Sequence, residues 1–289
     1  VDATLRPSNE LKTIMSVKIR HLNIEVTKRC NQRCFYCFNN SGIGSAVSEF
    51  TPKQWLEIIE KLHNTGLKSV HITGGEPFAY KGAVELLAGA QDMGLRTSIL
   101  TNGLRVAELS RLHPQVFCNL DVAQVSLDSA EPEIHNTRRG HPRAWDDATS
   151  AIRALSHLDV PVEVSCVLSA ENLGTIPALA QLCREMGASL LLRPLQNVGR
   201  AIETTPQTVV DLAKMLNVSL PVPVVHDRYY YVADERQQWP ESCPKDFLTV
   251  HHDGKLRTHG LPELPVNVSD LAMVSPKSCL GTNNLSLSA

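Results

Sequence analysis

The sequence predicts an α/β fold: a partial (β/α)6, TIM-like barrel followed by a small C-terminal α+β extension. Three observations lead there. Short β-rich runs alternate with helical patterns through residues 21–200, which calls for parallel strands joined by right-handed crossovers. Most of those strands carry one polar face, whereas parallel strands covered by helices on both sides are apolar throughout. Beyond residue 200 the alternation stops, and proline-rich and hairpin patterns take over.

The candidate strands, in order, are His21–Thr27, Ser69–Thr73, Arg96–Thr101, Ala123–Asp128, Pro161–Leu168 and Ser189–Pro194. The candidate helices between them are Pro52–Asn64, Gly82–Met93, Val106–Leu112, Arg143–Leu158 and Ile176–Met186. Thr51 stands where an N-cap belongs, with Pro52 at the first helical position. Gly66, Gly94 and Gly187 fall where helices should stop.

The polar faces choose between a doubly wound sheet and a barrel. Asn23, Glu25 and Thr27 alternate with Leu22, Ile24 and Val26; His71 and Thr73 alternate with Val70 and Ile72. Gln124, Ser126 and Asp128 alternate with Val125 and Leu127, and Glu163 and Ser165 with Val162, Val164 and Cys166. The third and sixth strands fit this pattern less well. A doubly wound sheet would strand the carboxylates under helices, at a cost of several kcal/mol each by rough estimate. A curved sheet with helices outside and a polar lumen inside avoids that cost, and six strands leave the lumen open to a substrate. Solvated edge-strand residues are the competing reading.

After residue 200 a helical stretch, Pro206–Leu216, leads into "SLPVPVVH", and "FLTVHHDGKLRT" reads as a hairpin turning at Asp253-Gly254. The chain thus divides into an N-terminal extension (1–20), the barrel (21–200) and the C-terminal extension (201–289).

With 28 Lys+Arg against 30 Asp+Glu, a net charge of -2 provides no basic field for nucleic acid. Residues 1–20 lack the apolar stretch of a signal peptide, and no run approaches the roughly 20 apolar residues that span a bilayer. A cytoplasmic protein with no nucleic-acid or membrane partner is expected.

Three of the 8 cysteines crowd into "KRCNQRCFYCFNN": Cys30, Cys34 and Cys37, spaced C-x3-C-x2-C. The scatter of the rest argues against a disulfide framework. The cluster lies on the loop leaving the first strand, at the end where barrels place their chemistry. Three thiolates can hold three irons of a 4Fe–4S cube and leave the fourth iron open to another ligand. A zinc site completed by water, and inert thiols, are the competing readings.

Further motifs follow in order: "TGGEP" (Thr73–Pro77), "TNG" (Thr101–Gly103), "SLD" (Ser126–Asp128), "HNTRRG" (His135–Gly140) and "NVGRA" (Asn197–Ala201). Together with the triad they resemble the radical S-adenosylmethionine (SAM) enzymes over roughly residues 20–200. The resemblance implies a 4Fe–4S cluster on Cys30, Cys34 and Cys37. It also implies reductive cleavage of SAM to a 5′-deoxyadenosyl radical, which takes a hydrogen atom from substrate. An electron donor such as a flavodoxin or ferredoxin goes with that chemistry. Carried over to this sequence, SAM contacts fall on Tyr36, on Gly74, Gly75 and Glu76, and on Thr101, Ser126 and Arg139. Asn136 stands where the family's turn has aspartate. Strand capping by Ser126, a turn role for Thr101 and a solvated Arg139 are the plainer readings of those three.

Cys118, Cys166 and Cys183 read as ordinary buried thiols. From Cys243 the sequence runs ten residues to Gly254 and four more to His259, with Cys279 beyond. This resembles the SPASM and twitch extensions of the same superfamily, which hold an auxiliary cluster, with His259 in place of the second cysteine. Cys243, His259 and Cys279 are thus a candidate auxiliary iron–sulfur site, but so short a ligand set favours a degenerate extension without metal. His251 and His252 carry no further weight.

The lumen residues Glu25, His71, Gln124, Glu163 and Arg193 are the substrate-binding candidates. Only 29 residues precede Cys30, short for the leader-recognition domain of many peptide-maturing relatives. The expected substrate is therefore a polar small molecule, sugar- or aminocyclitol-like, undergoing epimerisation or another redox-neutral change with Cys243 or Cys279 as hydrogen donor. Two-electron dehydrogenation and peptide side-chain modification are the alternatives, and an iron–sulfur electron carrier or regulatory protein is the non-enzymatic one.

Overall fold

A computed structural model of the protein describes residues 19–44, 49–195, 198–203, 224–226, 247–250, 255–258 and 264–267. Six strands alternate with helices: β1 (His21–Glu25), α1 (Pro52–His63), β2 (Ser69–Thr73), α2 (Ala83–Asp92), β3 (Arg96–Thr101), α3 (Val106–Leu112), α4 (Pro114–Cys118), β4 (Val122–Ser126), α5 (Pro132–Arg139), α6 (Ala144–Ser156), β5 (Val162–Leu168), α7 (Ile176–Glu185) and β6 (Ser189–Pro194). They pair in parallel in the order β1-β2-β3-β4-β5-β6. The sheet is not closed, as a partial barrel requires.

The C-terminal part joins this sheet at both edges. Strand β7 (Val224–His226) pairs in parallel with β6, and β8 (Phe247–Val250) pairs in parallel with β1. Strands β9 (Lys255–Thr258) and β10 (Leu264–Asn267) follow in antiparallel order. The β8–β9 pairing is the expected hairpin. Its turn at Asp253-Gly254, the Pro206–Leu216 helix and residues 1–18 lie outside the described residues.

Local sequence explains the elements. Thr51 and Gln54 form a reciprocal capping box on α1, with Pro52 at its first turn. The strands β1 and β4 end two residues earlier than expected, at Glu25 and Ser126. Helix α5, unforeseen because its composition is almost wholly polar, starts with proline after Glu131 and stops at Gly140 in the left-handed region (φ 59°).

The outer face of the sheet and the inner faces of the helices form one apolar core. Leu22, Ile24, Ile72, Ile99, Val125 and Val164 pack there with Trp55, Leu86, Ile152 and Leu179, all fully or almost fully buried. The other face is polar, and the register stacks it in layers: Asn23 beside His71 beside Ser98, and Leu100 beside Gln124 beside Glu163 beside Ser189. The lumen is therefore lined by the polar alternates. Among the described residues no helix is long and apolar enough to cross a membrane.

Candidate functional site

The loop leaving β1 carries Cys30, Cys34 and Cys37, and three distant glycines close on it. A Cβ at Gly75 would stand 2.4 Å from the Arg29 carbonyl oxygen, one at Gly140 2.7 Å from that of Arg33, and one at Gly199 2.2 Å from that of Phe38. Only glycine allows backbones to approach so closely. The contacts are locked by hydrogen bonds: Glu76 N–H to Arg29 O (2.9 Å), Arg33 N–H to Arg139 O (2.9 Å) and Arg200 N–H to Cys37 O (3.0 Å). Arg200 adds side-chain bonds to Cys34 O (2.8 Å), Asn40 Oδ1 (3.0 Å) and Ser41 O (2.7 Å). The loop is thus held by the ends of β2, α5 and β6 together.

Each thiol receives N–H donors. Cys30 Sγ accepts from Gln32 N (3.4 Å) and Asn102 Nδ2 (3.5 Å), Cys37 Sγ from Ser41 N (3.3 Å), and Cys34 Sγ from an Arg139 nitrogen (3.9 Å). Burial and the neighbouring Glu76 push the Cys30 thiol up to about 12. Burial also raises Cys34, although the Arg139 charge opposes it. Nδ2 of Asn31 and Nε2 of Gln32, flanking Cys30, are buried without a hydrogen-bond partner among the described residues. Three thiols with two orphaned amide donors beside them fit an anionic, sulfide-bearing group. Among the described residues no three or more His, Cys, Asp or Glu side chains gather around a single ion position. A cube, whose irons occupy separate corners, suits the triad better than a mononuclear zinc site.

Asp128 is the hub behind the loop; in sequence it closes the SLD motif and the fourth strand with no role of its own. Fully buried, its carboxylate accepts the Tyr36 hydroxyl, pairs with Arg139 (Nε to Oδ2 2.9 Å) and takes the Val167 N–H (3.0 Å). Burial opposes its charge, but Arg139 and Arg138 outweigh that and hold the carboxyl below the usual range. The Tyr36 ring lies within cation–π reach of Arg138 (5.1 Å) and Arg139 (5.4 Å).

Glu76 is fully buried, and its carboxylate accepts from Phe78 N (3.1 Å), Thr101 Oγ1 (2.8 Å) and Asn102 N (2.7 Å). Burial lifts it to about 7 against those bonds. The side chains of Glu76, Thr101 and Arg139 are therefore engaged with protein partners, and Gly74 and Gly75 are the partly exposed part of that motif. Ser126 differs: it faces the lumen, and its hydroxyl has no hydrogen-bond partner among the described residues.

The lumen joins three of its five candidates by hydrogen bonds and places the charge of Arg193 near His71. Gln124 Nε2 donates to Glu163 (2.9 Å) and Gln124 Oε1 accepts from Arg193 (2.8 Å). His71 Nδ1 shares a hydrogen with Ser98 Oγ (2.8 Å). Burial, then the Arg193 charge, lowers His71 to about 4. Glu25 lies on the same face, paired in register with Thr73.

Cys166 and Cys183 are buried in the core, but Cys118 is exposed, contrary to expectation. It ends the short helix α4, which turns Phe117 inward instead. Cys243, His259 and Cys279 lie outside the described residues. Asn102, Asp128, Arg138 and Arg200 fall within the TNG, SLD, HNTRRG and NVGRA motifs, but their bonding roles do not show in sequence, because the partners lie far along the chain.

Two proteins with the name PqqA peptide cyclase are similar to this chain: that of Bradyrhizobium diazoefficiens is 26% identical over 81% of it, and that of Rhodopseudomonas palustris 25% over 81%. The chain spans 64% and 65% of their lengths. Among solved structures, Streptococcus suis SuiB bound to S-adenosylmethionine superposes with a TM-score of 0.67 at 15% identity, over 90% of this chain and 66% of SuiB. Native anSMEcpe with bound AdoMet superposes at 0.60 and 18%, over 91% of this chain and 80% of that one; these likenesses bear on the fold. Residues 24–183, more than half of the chain, match the family described as the Radical SAM superfamily. The chain belongs to the radical SAM superfamily, whose enzymes work with a 4Fe–4S cluster and S-adenosylmethionine.

Proposed function

We propose that this radical SAM enzyme modifies a side chain of a peptide. The observation that carries this reading is the similarity, over 81% of the chain, to two proteins named for a peptide substrate. The sugar- or aminocyclitol-like substrate expected from the sequence gives way to it. That expectation rested on the short stretch before Cys30, which says nothing about the substrate if the chain is part of a longer protein.

In this reading Cys30, Cys34 and Cys37 hold the cluster. Tyr36, the backbone of Gly74–Glu76 and the Ser126 hydroxyl receive SAM. Arg139 acts as a positioning residue: it fixes Asp128 and through it Tyr36. When bound, the cluster and SAM supply a carbon-centred radical that removes a hydrogen atom from substrate. The lumen holds the target side chain next to Glu25, His71, Gln124, Glu163 and Arg193. Neutral His71 offers hydrogen bonding rather than charge, and the hydrogen bonds of Gln124 to Glu163 and Arg193 preorganise the far wall.

The test incubates anaerobically reconstituted protein with SAM, dithionite and a synthetic PqqA peptide, beside a panel of sugars and aminocyclitols. The expected result is peptide-dependent 5′-deoxyadenosine and an altered peptide. Loss of two hydrogens from the peptide marks an oxidative change such as ring closure. Unchanged mass with one deuterium taken from deuterium oxide marks hydrogen return. Turnover of a sugar or aminocyclitol with the peptide inert would contradict the reading.

A further inference from the structure

We propose that Asn102 is a tuning residue for the iron–sulfur cluster: its side-chain amide donates to Cys30 Sγ and raises the cluster's reduction potential. The inference rests on the reading that Cys30 is a cluster ligand, and goes beyond it.

Of the side-chain donors to the three cysteines, Asn102 makes the shorter approach, Nδ2 to Cys30 Sγ at 3.5 Å against 3.9 Å from Arg139 to Cys34 Sγ. More decisive is how its amide is locked. Asn102 Oδ1 accepts the Leu104 N–H (3.1 Å), while Nδ2 also donates to Asn31 Oδ1 (2.8 Å). Exchanging oxygen and nitrogen would break both bonds, so the network itself determines that N–H, not oxygen, faces the sulfur. The backbone of Asn102 is fixed in turn by its N–H to Glu76 Oε2 at 2.7 Å. Asn102 and Cys30 are both buried, 6% and 8% exposed, so little water competes for the sulfur. The turn after β3 needs only an acceptor for the Leu104 N–H and a residue free to adopt the positive φ of 96°, which Gly103 supplies; the N–H on the sulfur side is what the amide adds.

The chemistry follows from charge. Reduction adds one electron, and part of that negative charge falls on the ligating sulfurs. An N–H donor stabilises the more negative state more, so it makes reduction easier. Removing it should leave the cluster assembled but harder to reduce.

The experiment is an EPR-monitored redox titration of reconstituted wild-type protein and of the Asn102→Leu and Asn102→Ser variants, with iron counted in each. At a fixed potential near the midpoint, Asn102→Leu is expected to lower the reduced-to-oxidised ratio roughly tenfold, about 59 mV for a one-electron couple. Asn102→Ser keeps a side-chain oxygen for the Leu104 N–H but offers the sulfur no N–H, and it should shift in the same direction. An intact cluster with an unmoved midpoint in Asn102→Leu overturns the proposal, as does a shift in Asn102→Leu that Asn102→Ser does not share, which would trace it to the turn. Should the variants fail to hold a cluster, pulsed EPR decides on protein carrying asparagine labelled with ¹⁵N in the side-chain amide. A ¹⁵N coupling to the reduced cluster that survives Asn31→Ala supports the contact, and its absence overturns it. A wild-type protein that binds no cluster would instead defeat the reading of Cys30 as a ligand.

Discussion

The Asp128 carboxylate grips the Arg139 guanidinium through both oxygens, with NH2 to Oδ1 at 3.1 Å and Nε to Oδ2 at 2.9 Å. Both residues are buried, and Arg138 lies 3.6 Å from the same carboxylate. Arg139 thus pairs with one buried anion, while Arg138 shares that anion and also pairs with Glu171 at 3.2 Å. Removing one partner of such a set leaves uncompensated charge, typically costing 3–5 kcal/mol. Asp128→Asn, which keeps the shape and loses the charge, is expected to lower the unfolding free energy by about 3–5 kcal/mol in denaturant titrations of the cluster-free protein. A change below about 1 kcal/mol would mean that the arginines find other partners.

Much of this arrangement was legible in the sequence, and the gaps have physical causes. Period-two polarity exposed the lumen face because alternate residues of a strand share a side, whatever their distant partners. The triad and the glycine motifs were legible because their chemistry is local. The hub at Asp128 was not, since its bond to Tyr36 spans 92 residues and that to Val167 spans 39. Gly75 was expected as a SAM contact. The Arg29 backbone closes on it, so the glycine also serves the loop that carries Cys30. The joining of β8 to β1 was invisible for a similar reason, because strand pairing at such separation leaves no local trace.

Gly75→Ala tests that tight contact. A Cβ there meets the carbonyl oxygens of Arg29 at 2.4 Å and Lys28 at 2.8 Å, both backbone atoms, so a side chain cannot swing aside to relieve it. The variant is expected to fold, since the core beneath is untouched, but to bind several-fold less iron on reconstitution. Iron content equal to wild type, measured by colorimetric assay at matched circular dichroism, would show that the loop tolerates the displacement.

His71 makes a prediction about pH. Burial and Arg193 lower it to about 4, against about 6.5 in the unfolded chain. Between those values the unfolded state takes up a proton that the folded state refuses, so stability falls as pH falls from about 6.5 towards 4. Glu76, raised from 4.5 to about 7, contributes the opposite slope over most of that window. The difference between wild type and His71→Gln isolates the histidine. The variant should lose less stability on acidification than wild type, and imidazole NMR should show His71 still neutral at pH 6. A His71 signal titrating near 6.5 would contradict this.

Metal stoichiometry addresses the C-terminal segment. If Cys243, His259 and Cys279 hold no metal, reconstituted protein binds about four irons per chain. About eight, falling to four in a Cys243→Ala/Cys279→Ala variant, would make those residues ligands of a second cluster.

The central claim is that Cys30, Cys34 and Cys37 carry the reactive cluster, and SAM cleavage by the triple alanine variant tests it most directly. Anaerobically reconstituted wild type with dithionite should convert SAM to 5′-deoxyadenosine and methionine, and the variant should make none and lack the iron–sulfur absorbance. A folded variant that still yields 5′-deoxyadenosine under the same conditions would contradict the account.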